Sequence, residues 1–480
     1  MLREIPKALW LIGLLSALRL LVWGVAVAPA GPLGSDPALW GLTALDIEAG
    51  NAPLVVPLYP WLIQVLPGSP IHVGVSLSLL AIWLLPVATW WAARPISNPV
   101  ALGSGLGVLL LPDGLVMAFQ LQPDALTSLW AILLAGSLLR GRWALTVPLA
   151  LVGLFLREHG APVFLLVGLA AVLSPGKRAV RVAVLLGGAL LLAPLFGGEI
   201  GLDQPWNERS ETALSLLNTD QKPPHLRMEE WREFRELGAI QRIQWHASRS
   251  LREAPEAWGW VLLAGLMLTG TRRRDLLPAA LPVLPVFGAM IVWSERRHVT
   301  IAVPVLLVIV AACLERLRSH HRRGLLGICG VLLALGLWIL PEEASKQRRE
   351  SEAFGPVAKT AEALCAQAEA SDWILSIDQR LILWCPLPQL SDPRHPEAWK
   401  AWLVAPARSV QGPWVAVNQH HDAAWFYRLS EEQLGPPCPS NEPLKRRFLL
   451  ASGPKAHPAF SQVPMPNSPA LAIPFPKACR

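Results

Sequence analysis

Stretches of apolar residues return roughly every 25–40 positions as far as Leu340, and several approach the ~20 residues that a helix needs to cross a bilayer. That recurrence limits the fold severely. Inside hydrocarbon every backbone polar group must be satisfied within the chain, which leaves α-helices or closed barrels. The alternating ten-residue pattern of a barrel strand does not repeat. Composition agrees: 52% of the 480 residues are hydrophobic and 16% charged, against about 25% charged in soluble domains. The chain reads as an α-helical multi-pass membrane protein.

Candidate spans are 8–28, 71–92, 99–117, 125–139, 143–156, 161–173, 179–196, 256–270, 276–293, 299–314 and 325–340, about eleven transmembrane helices. Spans 143–156 and 161–173 fall short of the ~17-residue lower limit. They flank Arg157-Glu158-His159, and read as two short crossings or as one re-entrant hairpin. One straight crossing would put Arg140 and Arg142 on the side opposite Lys177, Arg178 and Arg181.

The loops sort by charge. Basic residues at Arg3 and Lys7, Arg94, Arg140 and Arg142, Lys177 to Arg181, Arg272 to Arg274, and Arg316 to Arg323 occupy every second connection. The positive-inside rule makes those loops cytoplasmic. Connections 29–70 and 118–124 hold no Lys or Arg. The net charge of +7 therefore reflects loops facing anionic headgroups. The basic runs carry no aromatic interleaving, so no nucleic-acid partner is expected. The first apolar stretch is longer than the 7–15 residues of a signal peptide and contains Arg19, which favours an uncleaved span. The N-terminus is then cytoplasmic.

Two larger regions fall outside: the loop 197–255 and the tail 341–480. Within the loop, residues 228–253 form an amphipathic pattern, with Trp231, Phe234, Ile240, Ile243 and Leu251 sharing an apolar face suited to the membrane interface. The division expected is 1–340 for the membrane domain and 341–480 for a small extracytoplasmic α/β domain. That domain has a helix at 352–369, strands at 373–377, 381–384, 414–417 and 448–451, and an irregular Pro-rich end. Cys365, Cys385, Cys438 and Cys479 all lie in this tail, where an oxidising compartment permits two disulfides in any of three pairings.

Chemistry-bearing residues gather at the outer ends of the spans. Asp36 lies in Gly34-Ser35-Asp36-Pro37, just after the first span. A carboxylate there can take a proton from an attacking acceptor; a Ser-Asp-Pro turn is the plainer use. Asp46 and Glu48 follow in the same loop. Asp124, in Gln122-Pro123-Asp124, opens the fourth span as a helix cap or as a functional acid. Asp113 reads as a helix-end residue. Arg157 and His159 interrupt an apolar stretch, where ionisable groups are functional by default; they suit a lipid-linked phosphate or a polar turn. Arg296, Arg297 and His298 break the positive-inside pattern, and either a bound phosphate or Glu295 balances them. No metal-ligand spacing, Walker loop, dinucleotide fingerprint, HExxH or nucleophile elbow occurs, so neither metal nor cofactor is expected.

In order and topology, several fragments resemble the GT-C superfamily of integral-membrane glycosyltransferases. They are LIGLLSALRLLVW, SDPALWGLTALDIEAGNAPLVVPLYPWL, LQPDALTSLWAILLAGSL, FLREHGAPVFLL, ASRSLREAPEAWGWVLLAGL and ERRHVTIAVPVLLVIVAACLERL. The nearest look is to the bacterial branch of protein O-mannosyltransferases and lipid A aminoarabinose transferase. The resemblance implies transfer of a sugar from a polyprenyl-phosphate donor to a lipid, glycan or protein acceptor at the outer face. It maps the acidic base onto Asp36. Asp124, Arg157, His159, Arg297 and His298 become the residues holding donor phosphate and acceptor, with Tyr59 of the first outer loop counted among them. The family pattern has a second acid directly after the base, where this chain has Pro37. Rival readings are a lipid-linked sugar flippase, whose repeats and midplane charges are not found here, and an inactive envelope scaffold.

Overall fold

The computed structural model describes residues 7–29, 40, 41, 43, 44, 57–111, 113–157, 160–173, 234, 236–253, 255–287, 296–317, 327, 329–331, 333–335, 337–349, 351, 352, 374–376, 414–416, 447–451 and 470–474. Contacts divide the chain into two units, Met1–Ala26 with Thr43–Ala344, and Val27–Leu42 with Ser345–Arg480.

The first unit is a helical bundle. Its helices are α1 (Lys7–Val27), α2 (Leu58–Val65), α3 (Pro70–Ala93), α4 (Asn98–Leu110), α5 (Asp124–Leu139), α6 (Trp143–Leu156), α7 (Gly160–Leu173), α8 (Ala239–Glu253), α9 (Pro255–Thr271) and α10 (Arg296–Arg316). By length and apolar character, α1 and α3 suffice to cross a membrane. Their starts are written locally. Ser69 accepts from the His72 backbone N–H with Pro70 at the first turn of α3; Ser97 does the same for Val100 in α4.

The core runs through α3, α5 and α10, with Ala81, Ile82 and Leu85 of α3, Ala131 and Leu134 of α5, and Ile301 to Val310 of α10 buried together. Helix α1 buries one stripe only, Ile12, Ser16, Trp23 and Val27. On its far side Trp10, Leu14, Leu18, Leu21 and Val25 are all exposed. An apolar face of that extent is foreign to a soluble surface and reads as lipid-facing. Arg19, the one charge in the body of α1, donates to the Leu111 carbonyl at the end of α4. A cation there suits the carbonyls of a helix C-terminus.

Helices α6 and α7 form an antiparallel hairpin, with Val147 packed on Ala171 beside Trp143 and Phe164. At its apex the backbones touch: a Cβ on Gly160 would lie 1.8 Å from the Gly153 carbonyl oxygen. Each arm has 14 residues, about 21 Å of helix. The stretch expected as one span at 276–293 is interrupted over its described part. A 3-10 turn at Arg274–Leu276 and a helical turn at Leu277–Ala280 give way to turn residues 281–283. Pro278, Pro282 and Pro285 account for this, since each lacks a donor N–H.

Helix α8 is amphipathic as expected, and the face it turns inward carries basic residues. Ile240 and Leu251 are exposed, whereas Arg242 and His246 are buried and Phe234 is buried with them. The Arg242 guanidinium sits 5.6 Å from the Phe234 ring, and Arg249 the same distance from Trp245. Aromatic faces make burial of the cations tolerable, and the outward apolar residues suit acyl chains.

In the second unit the Ser351 hydroxyl donates to the Ala28 carbonyl at 2.8 Å, where the chain leaves α1 with Ala28 at φ +45°. Strand β1 (Ile374–Ser376) pairs parallel with β2 (Trp414–Ala416), and β3 (Arg447–Ala451) antiparallel with β4 (Ala470–Pro474). Strand β4 corrects the expectation of an irregular end. Its Ala-Leu-Ala-Ile run is a strand between prolines. The four tail cysteines, and residues 353–369 of the helix expected at 352–369, lie outside the described residues. Cys313 and Cys329, in the bundle, are free thiols.

Candidate functional site

Three of the residues singled out in the sequence meet at one end of the bundle, the end that the loop charges predict to be the outer one. Asp124 opens α5 after Pro123, and Arg157 ends α6 at the hairpin apex. Their side chains form an ion pair, Arg157 Nη2 to Asp124 Oδ1 at 2.7 Å, with 8% and 1% exposure respectively. Asp124 does not cap its helix: its carboxylate makes no capping hydrogen bond, and Oδ2 has no hydrogen-bond partner among the described residues. The choice between cap and functional acid thus falls against the cap. Burying a charge pair costs several kcal/mol per ion unless geometry and further hydrogen bonds offset it. A buried carboxylate with an unused oxygen is therefore a costly arrangement to keep for structure alone.

Tyr59, fully buried on α2, lies beside the pair. Its hydroxyl donates to the Gly74 carbonyl at 3.0 Å. Burial pushes the phenol well above its ordinary value and the Asp124 charge adds to the rise, against lowering by hydrogen bonds from Ser78 and the Gln122 backbone. Tyr59 is thus a neutral donor at any working pH. One turn along α3 from Gly74, the Ser78 hydroxyl lies 2.7 Å from the Gln120 carbonyl and 3.3 Å from that of Gln122. Between those carbonyls Leu121 seats on Gly74, where a Cβ would come within 1.8 Å of its Cδ1. Residues 120–122 are thereby held on α3 immediately before Asp124.

The first turn of α10 arrives at the same end. Ser128, one turn into α5, donates to the Ile301 carbonyl at 3.4 Å, and Thr300 donates to Met117 Sδ at 3.2 Å. Pro304 inside α10 removes the donor to the Thr300 carbonyl one turn back, next to the carbonyl that Ser128 meets. The backbone of Arg296, Arg297 and His298 therefore begins α10 about one turn from Ile301. The N-termini of α5 and α10 converge, and their dipoles favour negative charge.

Asp36 and His159 lie outside the described residues, as do Asp46, Glu48 and Glu158. Sequence reasoning missed Gly74, Ser78, Gln120, Gln122, Ser128 and Thr300. The signal available was a Gly and a Ser four positions apart inside an otherwise apolar span. Among the described residues no cluster of His, Cys, Asp and Glu suits a metal.

With this geometry established, the chain is placed by its fold among solved structures. It is similar to ArnT from Cupriavidus metallidurans in the apo state, with a TM-score of 0.52 at 14% identity over 97% of each chain. It is similar also to the same protein bound to undecaprenyl phosphate, at 0.51 and 14% over 92% of this chain and 93% of that one. The Archaeoglobus fulgidus oligosaccharyltransferase aligns at 0.44 and 13%, covering 81% of this chain, which spans 64% of the length of that protein. No family model and no curated protein sequence matches the chain.

Proposed function

We propose that this protein is a membrane glycosyltransferase that moves a sugar from a polyprenyl-phosphate donor to a lipid, glycan or protein acceptor at the outer face of a bacterial inner membrane. The observation that carries this reading is the buried Asp124–Arg157 pair, held where two helix N-termini converge in a fold shared with a protein that binds undecaprenyl phosphate.

The chemistry follows from these groups. Asp36 accepts the proton of an acceptor hydroxyl or amine as its oxygen or nitrogen bonds to the anomeric carbon. The bond from that carbon to the phosphate oxygen breaks, and the electron pair leaves with the polyprenyl phosphate. Arg157 neutralises the charge growing on that oxygen, and Arg297 and His298 add to the field. Groups fixed in place before reaction stabilise such charge far better than water does. Asp124 orients Arg157 in a dry site, and its second oxygen accepts a hydrogen bond from substrate. Inversion at the sugar carbon is the expected outcome, and the step needs no metal. The tail 341–480 serves acceptor recognition or stability.

The test is lipid mass spectrometry of the native host deleted for this protein and complemented with wild type, Asp36→Asn or Arg157→Ala. We expect one polyprenyl-phosphate sugar to accumulate in the deletion and in both variants, and to disappear with wild type. An unchanged lipid-linked sugar pool throughout would overturn the reading.

A further inference from the structure

The bundle holds a second layer of residues behind the ion pair, and that layer acts on Asp124 through the backbone. Residues 120–122 lead directly into Pro123–Asp124. Their two outer carbonyls face one hydroxyl, that of Ser78. Their middle side chain, Leu121, occupies the space Gly74 leaves vacant. Gly74 in turn gives its carbonyl to Tyr59. Ser78, Tyr59, Leu121 and Gln122 are all buried, so each of these bonds forms away from water.

We propose that Ser78 is a positioning residue for Asp124 and so for recognition of the donor phosphate. The inference rests on the function proposed above. Pro123 supplies no N–H, so the chain ahead of Asp124 is short of backbone donors just where it must be fixed. A side-chain hydroxyl from α3 meets that need. Inside the bundle a hydroxyl that bonds two carbonyls of another segment sets the height of that segment along the helix. Loss of the bond lets Asp124 shift relative to Arg157, and a displacement of about 1 Å suffices to spoil such a site. Ser78 touches neither substrate nor reacting atoms; its effect is transmitted by residues 120–123.

The experiment uses the full chain in lipid nanodiscs and undecaprenyl phosphate as the probe, with binding read by native mass spectrometry and folding by thermal melting. Ser78→Ala is expected to weaken binding about tenfold, the cost of one buried hydroxyl–carbonyl bond left unmade, with Tm within about 2 °C of wild type. Ser78→Thr keeps the hydroxyl and is expected to restore binding. Wild-type binding by Ser78→Ala overturns the proposal, as does weakening that tracks a fall in Tm and is not rescued by Ser78→Thr. Arg157→Ala separates the two readings. If it abolishes binding while Ser78→Ala leaves it intact, the positioning role fails and the site stands. If Arg157→Ala also binds as wild type, the site itself is wrong and Ser78 has nothing to position.

Discussion

The two ends of the bundle treat their arginines in opposite ways. At the end that the loop charges predict to be the inner one, Arg140 finishes α5 by donating to the Trp91, Ala92 and Gly136 carbonyls, its guanidinium 3.9 Å from the Trp91 ring. Burial, with Arg142 beside it, lowers it to about 10, still charged at neutral pH. Every interaction there serves helix C-termini, which attract cations for their own sake. At the outer end, Arg157 meets a carboxylate at the start of a helix, where no cation is wanted by the backbone. Asp124 keeps an oxygen without a hydrogen-bond partner among the described residues. An arginine that caps a helix is accounted for by the fold. One paired to a buried acid between two N-termini is better accounted for by a substrate.

That contrast can be broken most forcefully at the outer end. Arg157→Ala leaves a buried carboxylate uncompensated and should cost about 3–5 kcal/mol, read by thermal melting in nanodiscs, together with loss of sugar transfer. Combining Asp124→Asn with Arg157→Met removes both charges. Melting should then recover most of the loss while transfer stays absent. Recovered transfer would make the pair a structural device like Arg140. At the hairpin apex, Gly160→Ala forces the two backbones apart and should cost about 1–3 kcal/mol by overpacking, with transfer falling further than stability as Arg157 is displaced.

At the inner end Arg140→Met should cost about 1–3 kcal/mol, from carbonyls left unmet in part-buried surroundings, with turnover per folded molecule unchanged. The smallest effect belongs to Arg273 and Asp275, paired at 2.6 Å with the Asp275 side chain 61% exposed. The Arg273 hydrogen bond holds the Asp275 carboxyl below its usual range. The pair therefore contributes above the ordinary carboxylate value and loses its contribution as pH falls through the lowered one. Solvent screening keeps it near about 0.5 kcal/mol. Asp275→Asn should shift the melt slightly at neutral pH and not at all once the pH has fallen below that lowered value.

The spans were legible in the sequence because runs of Leu, Ala and Val carry their own message, and α1, α3, α5, α6, α7, α9 and α10 fall where those runs lie. Asp124 and Arg157 were each legible as charged interruptions. Their pairing was not, since it depends on how the hairpin packs on α5. Gly74 and Ser78 look like ordinary small residues of a span; only the seating of Leu121 reveals their use. The apolar face of α8 was legible at Ile240 and Leu251, which are exposed; Phe234, placed on that face by the same pattern, is instead buried against Trp245 and His246. Tail strand β4 was hidden by surrounding prolines, which marked the ends of the strand rather than its absence.

The brevity of the α6–α7 hairpin has a consequence for the membrane itself. A hydrocarbon layer is about 30 Å thick, and arms of about 21 Å cannot match it. Such mismatch is relieved by local thinning of the bilayer. The hairpin apex would then draw the nearby headgroups inward, and a prenyl chain anchored in the tilted lipids would present its phosphate below the plane of the surrounding surface. Bilayer thickness becomes a control on the activity proposed above: transfer should run faster in short-chain lipids than in long-chain ones.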